Sequence, residues 1–293
     1  MLNIHSKLLD LNVWRRASKN ALSKPLLVLF AIGRLSRGLS TVPFKDCEAE
    51  LKKLIQEFGN DTRHPKPHYP FWRLQNDGVW KVSSDLPITQ TNAGDVSVIE
   101  LRNLNAVGSF SDSISKPLAK DQRSRNSLTY EILETYFPSS IHSDLLSAIQ
   151  YVEHELPIHR KRRDPNFRQQ VLSAYRYQCA ICLQDMRLKS MTIGLEAAHI
   201  KWHQANGPDT INNGLCLCSI HHKLFDLGAF TIDNTYKIIV SEHVTGSNQV
   251  NDILLKYHGN FVAKPIHIEQ VPNSGFLKWH SDMVFKHAAL PLT

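Results

Sequence analysis

Apolar positions recur at helical spacing through the first sixty residues. Residues 5–22 (HSKLLDLNVWRRASKNAL) read as an opening helix. A second begins at Lys24-Pro25, where proline suits the first turn, and stops at Gly38. A third, CEAELKKLIQEFG, ends at Gly59 by the same logic. The pattern then changes. Residues 61–80 hold Pro65, Pro67 and Pro70 among four aromatics, with a turn signal at Asn76-Asp77-Gly78. They predict an irregular loop leading into a β-hairpin, FWRL followed by VWKV. Helical spacing returns over 125–153, and again over 165–178. Beyond it, TIGLEAAHI reads as a strand ending at His199, Gly214–Cys218 as a second strand, and HHKLFDLG as a helix opening at His222. Strand, loop, strand, helix is a ββα unit.

Composition bounds this picture. A chain of 293 residues suggests two domains. Hydrophobic content of 42% excludes wholesale disorder, and no apolar run is long enough to span a membrane. The predicted class is α+β. A first domain over 1–154 mixes helices with a β-hairpin, a basic linker occupies 155–168, and a second domain covers 169–293. The net charge is +7, and residues 1–45 carry eight basic residues against one acid, so they hold the whole excess. That asymmetry points to a polyanion, most simply nucleic acid, beside the plainer reading of a solvated basic surface. The run His159-Arg160-Lys161-Arg162-Arg163 is a solvated linker or a phosphate contact.

Four of the five cysteines, Cys179, Cys182, Cys216 and Cys218, fall within a 40-residue window. The chain shows no secretory leader pattern, so a cytoplasmic protein with a metal site is expected rather than a disulfide scaffold. Cys179 and Cys182 form a CxxC knuckle, and Cys218 and His221 a CxxH pair. Together they supply four tetrahedral ligands for structural Zn²⁺. Cys216 is left over as a small buried hydrophobe.

Between and beside these pairs lie His199, Asn213 and His222, spaced by 14 and 9 residues. With the phrases LEAAHI and NGL…LC..HHKLFD…G, the segment resembles the HNH nuclease family, whose catalytic domain is a ββα-metal fold. His199 can act as general base, since imidazole titrates near neutrality. The resemblance gives Asn213 the task of orienting the loop or the base. His222 can ligate a divalent cation acting as Lewis acid on the phosphate, and Asp226, one turn further along the same helix face, is a candidate second ligand. Ala198 departs from the family pattern, standing where many members place a metal-binding Asp or His. Mg²⁺ or Mn²⁺ suits the remaining donors. Strand alternation sets Glu196 apart from the face of His199 and leaves it outside the expected ligand set; His203 is a loop residue only.

The N-terminal half resembles the sulfur-binding domain of restriction endonucleases that attack phosphorothioated DNA. The stretches KPLLVLFAIGRLSRG, HYPFWRLQNDGVW and FPSSIHSDLLSAI carry the likeness, and LKWHSDMVFK extends it towards the C-terminus. A sulfur in place of a phosphate oxygen is larger and less hydrated, so apolar contact should favour it. Tyr69, Pro70 and Phe71 could form such a surface, with Arg34, Arg37, His64 and Arg73 holding backbone charge. Gln75, Asn76 and Asp77 could read base edges. The plainer alternatives are a hydrophobic loop anchor for HYPFW and a type I′ turn for NDG. The resemblance implies a modification-dependent type IV restriction endonuclease, cutting double-stranded phosphorothioated DNA with catalytic Mg²⁺ or Mn²⁺. One HNH unit cuts one strand, so a homodimer is expected, and no membrane partner. Two rivals stand beside it: an HNH enzyme reading methylated bases, and a non-catalytic DNA-binding protein with a structural HNH fold.

Overall fold

The computed structural model describes residues 2–12, 15–16, 19–59, 65–152 and 165–292. The chain divides into two compact units, Met1–Ile158 and His159–Thr293.

The first unit is built on the helix Ser23–Ser36, whose residues from Pro25 to Gly33 are all buried. A helix apolar on every side can only be central. Phe44–Phe58, Gln122–Tyr136 and His68–Arg73 pack around it. Gly33 is the point of closest approach: a Cβ there would lie 2.4 Å from the carbonyl of Ile149. A three-stranded antiparallel sheet has Val107–Phe110 in the middle, flanked by Val42–Pro43 and Trp80–Ser83.

Two expectations fail here. The opening helix is short, Leu2–Leu9, and is followed by a small strand pair, Arg15–Arg16 with Lys19–Asn20. The backbone N–H of Asn12 donates to Asp77 Oδ1 at 2.7 Å, so it does not continue the helical ladder. Nor does FWRL pair with VWKV. Residues 68–73 are helical and 74–77 form a 3-10 turn closed by Gly78 at φ +68°; Trp80–Ser83 pairs instead with Val107–Phe110. Pro70 lies in the first helical turn, where its missing N–H has no partner to lose. The aromatic run favours a strand locally, but Phe71 is fully buried edge-on to Phe44 and Trp80, at 4.9 and 6.0 Å between ring centroids. Core packing overrides the local preference.

In the second unit the strands Leu195–His199 and Gly214–Cys218 pair antiparallel, with His199 opposite Gly214 and Leu195 opposite Cys218. The helix Ser219–Asp226 follows directly. Around this ββα unit lie the helices Pro165–Ala174 and Ser274–Met283, a second strand pair, Phe230–Ile232 with Ile238–Val240, and a hairpin, Arg187–Leu188 with Met191–Thr192. The Pro165–Ala174 helix begins inside the segment expected to be linker. Phe167 and Val171 are buried against the ββα core, so residues 165–168 belong to this unit. The basic run 159–163 lies outside the described residues.

Candidate functional site

One pair precedes the ββα unit and the other lies at its strand–helix junction, and the two meet in space. One ligand atom from each of Cys179, Cys182, Cys218 and His221 lies within 4.8 Å of all the others. His221 Nδ1 faces the cluster, 3.1 Å from Cys218 Sγ and 3.6 Å from Cys179 Sγ. Its Nε2–H donates to the carbonyl of Ile253 at 2.8 Å, which fixes the tautomer that offers Nδ1 to a metal. Hydrogen bonds from Cys182 and Cys218 pull the Cys179 thiol far below its ordinary value despite burial. A sulfur-rich tetrahedral donor set of this kind fits Zn²⁺. Cys216 is fully buried, and burial pushes its thiol up to about 12, so it stays protonated and outside the cluster.

His199 closes the first strand. Its Nε2 lies 2.7 Å from Asp209 Oδ1, and its ring stacks on Phe167 at 4.2 Å between centroids. Imidazole held on one nitrogen by a carboxylate and on one face by an aromatic ring has little rotational freedom. Neither partner is apparent from sequence. Asp209 sits in the inter-strand loop without a motif, and Phe167 precedes the cysteines by a dozen residues.

Asn213 is fully buried. Its Oδ1 accepts from Lys201 N at 2.8 Å, while Nδ2 donates to Lys201 O at 3.0 Å and Pro208 O at 2.9 Å. The amide thus clamps both ends of the loop leaving His199. The loop is tight enough that a Cβ on Gly207 would fall 1.8 Å from the Lys201 carbonyl oxygen.

His222 lies between two carboxylates. Nδ1 is 2.6 Å from Glu196 Oε2, and Nε2 is 3.1 Å from Asp226 Oδ2. Burial by itself would lower its pKa; Asp226 and Glu196 override that and raise it to about 9. The two sides differ in access. The Asp226 side chain is 2% exposed, whereas Glu196 is 44% exposed. The alternation that takes Glu196 off the face of His199 aims it at the helix, where its second oxygen also accepts from Ser219 Oγ at 2.8 Å. Ala198 shares that strand face and is fully buried. Behind the helix, His280 stacks on Phe225.

The reader candidates scatter. Phe71 and Pro70 are buried, and of the expected apolar cradle Tyr69 alone is half-exposed. Asp77 is engaged by Lys24 and by the Asn12 N–H, with its side chain 4% exposed. Gln75 donates to the Trp72 carbonyl and accepts from Val82 N, holding the turn. Arg73 forms a two-pronged pair with Asp95, both contacts 2.6 Å, and its guanidinium lies 4.6 Å from the centre of the Tyr69 ring. Arg34 donates to Thr41 O, and Arg37 to Gly33 O and Gln150 Oε1. Asn76 is exposed and Tyr69 half-buried beside Lys66 and His68. His64 lies outside the described residues.

Residues 2–153 match the family model described as ScoMcrA-like, DNA sulfur-binding domain. The chain belongs to that family. Downstream of the ScoMcrA-like domain, residues 179–233 match an HNH endonuclease model, a span that holds all four cluster ligands together with His199, Asn213, His222 and Asp226. The chain thus joins a DNA sulfur-binding domain to an HNH endonuclease domain. Among solved structures, the sulfur-binding domain of ScoMcrA complexed with phosphorothioated DNA is 23% identical, covering 50% of this chain and 97% of that one, with a TM-score of 0.44. The corresponding SprMcrA domain, also with phosphorothioated DNA, is 25% identical over 51% of this chain and 94% of its own, at 0.43. The type IV phosphorothioation-dependent restriction endonuclease ScoMcrA is 19% identical, covering 50% of this chain and 32% of that one, again at 0.43. A comparison with curated proteins gives no match. No helix among the described residues is long and apolar enough to cross a membrane.

Proposed function

We propose that the chain binds double-stranded phosphorothioated DNA through its N-terminal domain and hydrolyses nearby phosphodiester bonds through its HNH domain, leaving 5′-phosphate and 3′-hydroxyl ends. The observation that carries this reading is the presence of both family matches on one chain. The ββα geometry supports it in detail. His199, held by Asp209 and Phe167, takes the proton from the attacking water. Asn213 positions the loop that carries it. A divalent cation, Mg²⁺ or Mn²⁺, would offset charge at phosphorus and on the departing oxygen. His222 would hold it, with Glu196 as the accessible carboxylate at Nδ1 and Asp226 as the buried partner that orients the ring from Nε2. This exchanges the roles that sequence spacing assigned, where Asp226 was the ligand. Structural Zn²⁺ would sit among Cys179, Cys182, Cys218 and His221. In the reader, exposed Lys66 and Asn76 and half-buried Tyr69, Arg34, Arg37 and Arg73 would meet the DNA.

The deciding experiment is cleavage of one duplex in sulfur-modified and plain forms, with Mg²⁺ or Mn²⁺. Cutting restricted to the modified duplex, abolished in His199→Ala while binding persists, is the expected result. Equal binding of both duplexes would sink the sulfur reading, and wild-type binding without cleavage in either metal would favour a non-catalytic protein.

A further inference from the structure

The loop that leaves His199 carries a second imidazole, His203, on a backbone fixed from both sides. Lys201 N–H donates to Asn213 Oδ1 at 2.8 Å, and its carbonyl accepts from Nδ2 at 3.0 Å. Trp202 is buried, its ring 5.8 Å from that of Trp279. His203–Ala205 is one 3-10 turn, closed by Asn206 in the left-handed region at φ +60°. The N–H groups of Asn206 and Gly207 donate to the carbonyls of His203 and Trp202, at 2.9 and 3.0 Å. Between these anchors the His203 side chain is exposed. Its ring stands edge-on to that of His199, with planes at 67° and centroids 6.1 Å apart. His199, His221, His222 and His280 each have a ring nitrogen engaged by a neighbour. Neither nitrogen of His203 has a hydrogen-bond or ion-pair partner among the described residues.

We propose that His203 contacts the substrate in the nuclease site, donating an N–H to a non-bridging oxygen of the DNA phosphate on which His199 acts. The proposal rests on the nuclease reading. The spacing suits it. A water held about 3 Å from the base, and a hydrogen bond of about 2.8 Å from a second ring to the phosphate, set the two rings one water and one phosphate oxygen apart. The charges call for it as well. Asp209, 2.7 Å from His199 Nε2 and with its side chain 35% exposed, sets a carboxylate where a polyanion must approach. A free donor on the same loop offsets that repulsion, and hydrogen bonds to an anionic oxygen are the strong ones. The anchored turn leaves only the side-chain torsions of His203 to settle on binding. Such preorganisation suits a donor that stabilises charge developing at phosphorus. Read by spacing alone, His203 is a loop residue, because its approach to His199 is made by the turn and not by strand alternation.

Single-turnover cleavage of sulfur-modified duplex by the full chain, at saturating enzyme with Mg²⁺ or Mn²⁺, tests it. His203→Ala should cut about 10–100-fold more slowly, the range for losing one hydrogen bond to a charged group. Zinc content and melting temperature should stay unchanged. His203→Gln and His203→Arg keep an N–H donor and should recover most of the rate, which a role in shaping the turn would not produce. Carbethoxylation by diethyl pyrocarbonate, read by mass spectrometry on the non-cutting His199→Ala background, checks the contact without chemistry. Sulfur-modified duplex should slow the reaction of His203 several-fold. An alanine variant that cuts at the wild-type rate overturns the proposal. So do glutamine and arginine variants as slow as alanine, or a His203 that reacts equally fast with and without duplex. Protection of His203 alongside a wild type that cuts nothing would uphold the contact and fail the nuclease reading instead.

Discussion

His280 should make the HNH unit sensitive to mild acid. Its ring lies flat on Phe225, with centroids 3.6 Å apart and planes 1° from parallel. Nε2 is 3.1 Å from the Phe225 carbonyl, which can only accept, so Nε2 carries the hydrogen and Nδ1 accepts from Thr231 Oγ1 at 2.9 Å. Burial lowers its pKa from 6.5 to about 4, against the opposing pull of the Phe225 carbonyl and Asp226. The unfolded chain therefore takes up this proton near pH 6.5 and the folded chain only near 4. The neutral ring's contribution is complete above pH 6.5 and is lost as pH falls from 6.5 towards 4. That gap, at about 1.4 kcal/mol per pH unit, amounts to about 3 kcal/mol. Other groups, the zinc ligands among them, also titrate in acid, so the comparison must be with His280→Gln. Glutamine retains a donor for the Phe225 carbonyl and cannot be protonated. Urea unfolding between pH 7 and 4 should show wild type losing about 3 kcal/mol more than the variant. An NMR titration placing folded His280 near 6.5, or parallel stability profiles for the two proteins, would refute the reasoning.

Removing zinc with a chelator should unfold the HNH unit while leaving sulfur-duplex binding by the reader intact; circular dichroism and a binding titration check both, with one zinc per chain expected by metal analysis. Asn213→Ala should cost about 2–3 kcal/mol in a urea melt, since three hydrogen bonds vanish from a buried loop, and cleavage should fall with DNA affinity unchanged. Glu196→Gln should weaken Mn²⁺ binding directly. Asp226→Asn should act through the orientation of His222 and lose 10–100-fold in metal affinity or rate, the usual scale for an orienting partner. Affinity for sulfur-modified duplex should fall steeply with salt, with a slope of about −0.9 per neutralised phosphate.

The sequence carried the HNH half well because its signals are local. A CxxC, a CxxH and a histidine at the end of an apolar run each speak through short spacing, and Gly214–Cys218 forms the strand that its pattern predicts. Residues that act from a distance were silent. Asp209, Phe167 and His280 reach the site through tertiary packing, and nothing in their own neighbourhoods marks them. Strand alternation separates Glu196 from His199 but says nothing of the helix that Glu196 faces. In the reader the failure was of another kind. An aromatic, proline-rich run looks like a surface loop in one dimension, yet Phe71 belongs to the core and Asp77 to an ion pair with Lys24.

On the proposed function, the order of the cluster ligands would govern when this molecule becomes dangerous to the cell that makes it. Cys179 and Cys182 emerge first during synthesis, and Cys218 and His221 some forty residues later. Until that second pair appears and zinc arrives, His199 stands on a strand whose neighbour, Gly214–Cys218, is unanchored, and His222 has not been made. The reader, residues 2–153, is complete well before then and can fold as a unit. On that reading a growing chain would acquire its power to find DNA before its power to cut, and the final step would wait on a metal ion.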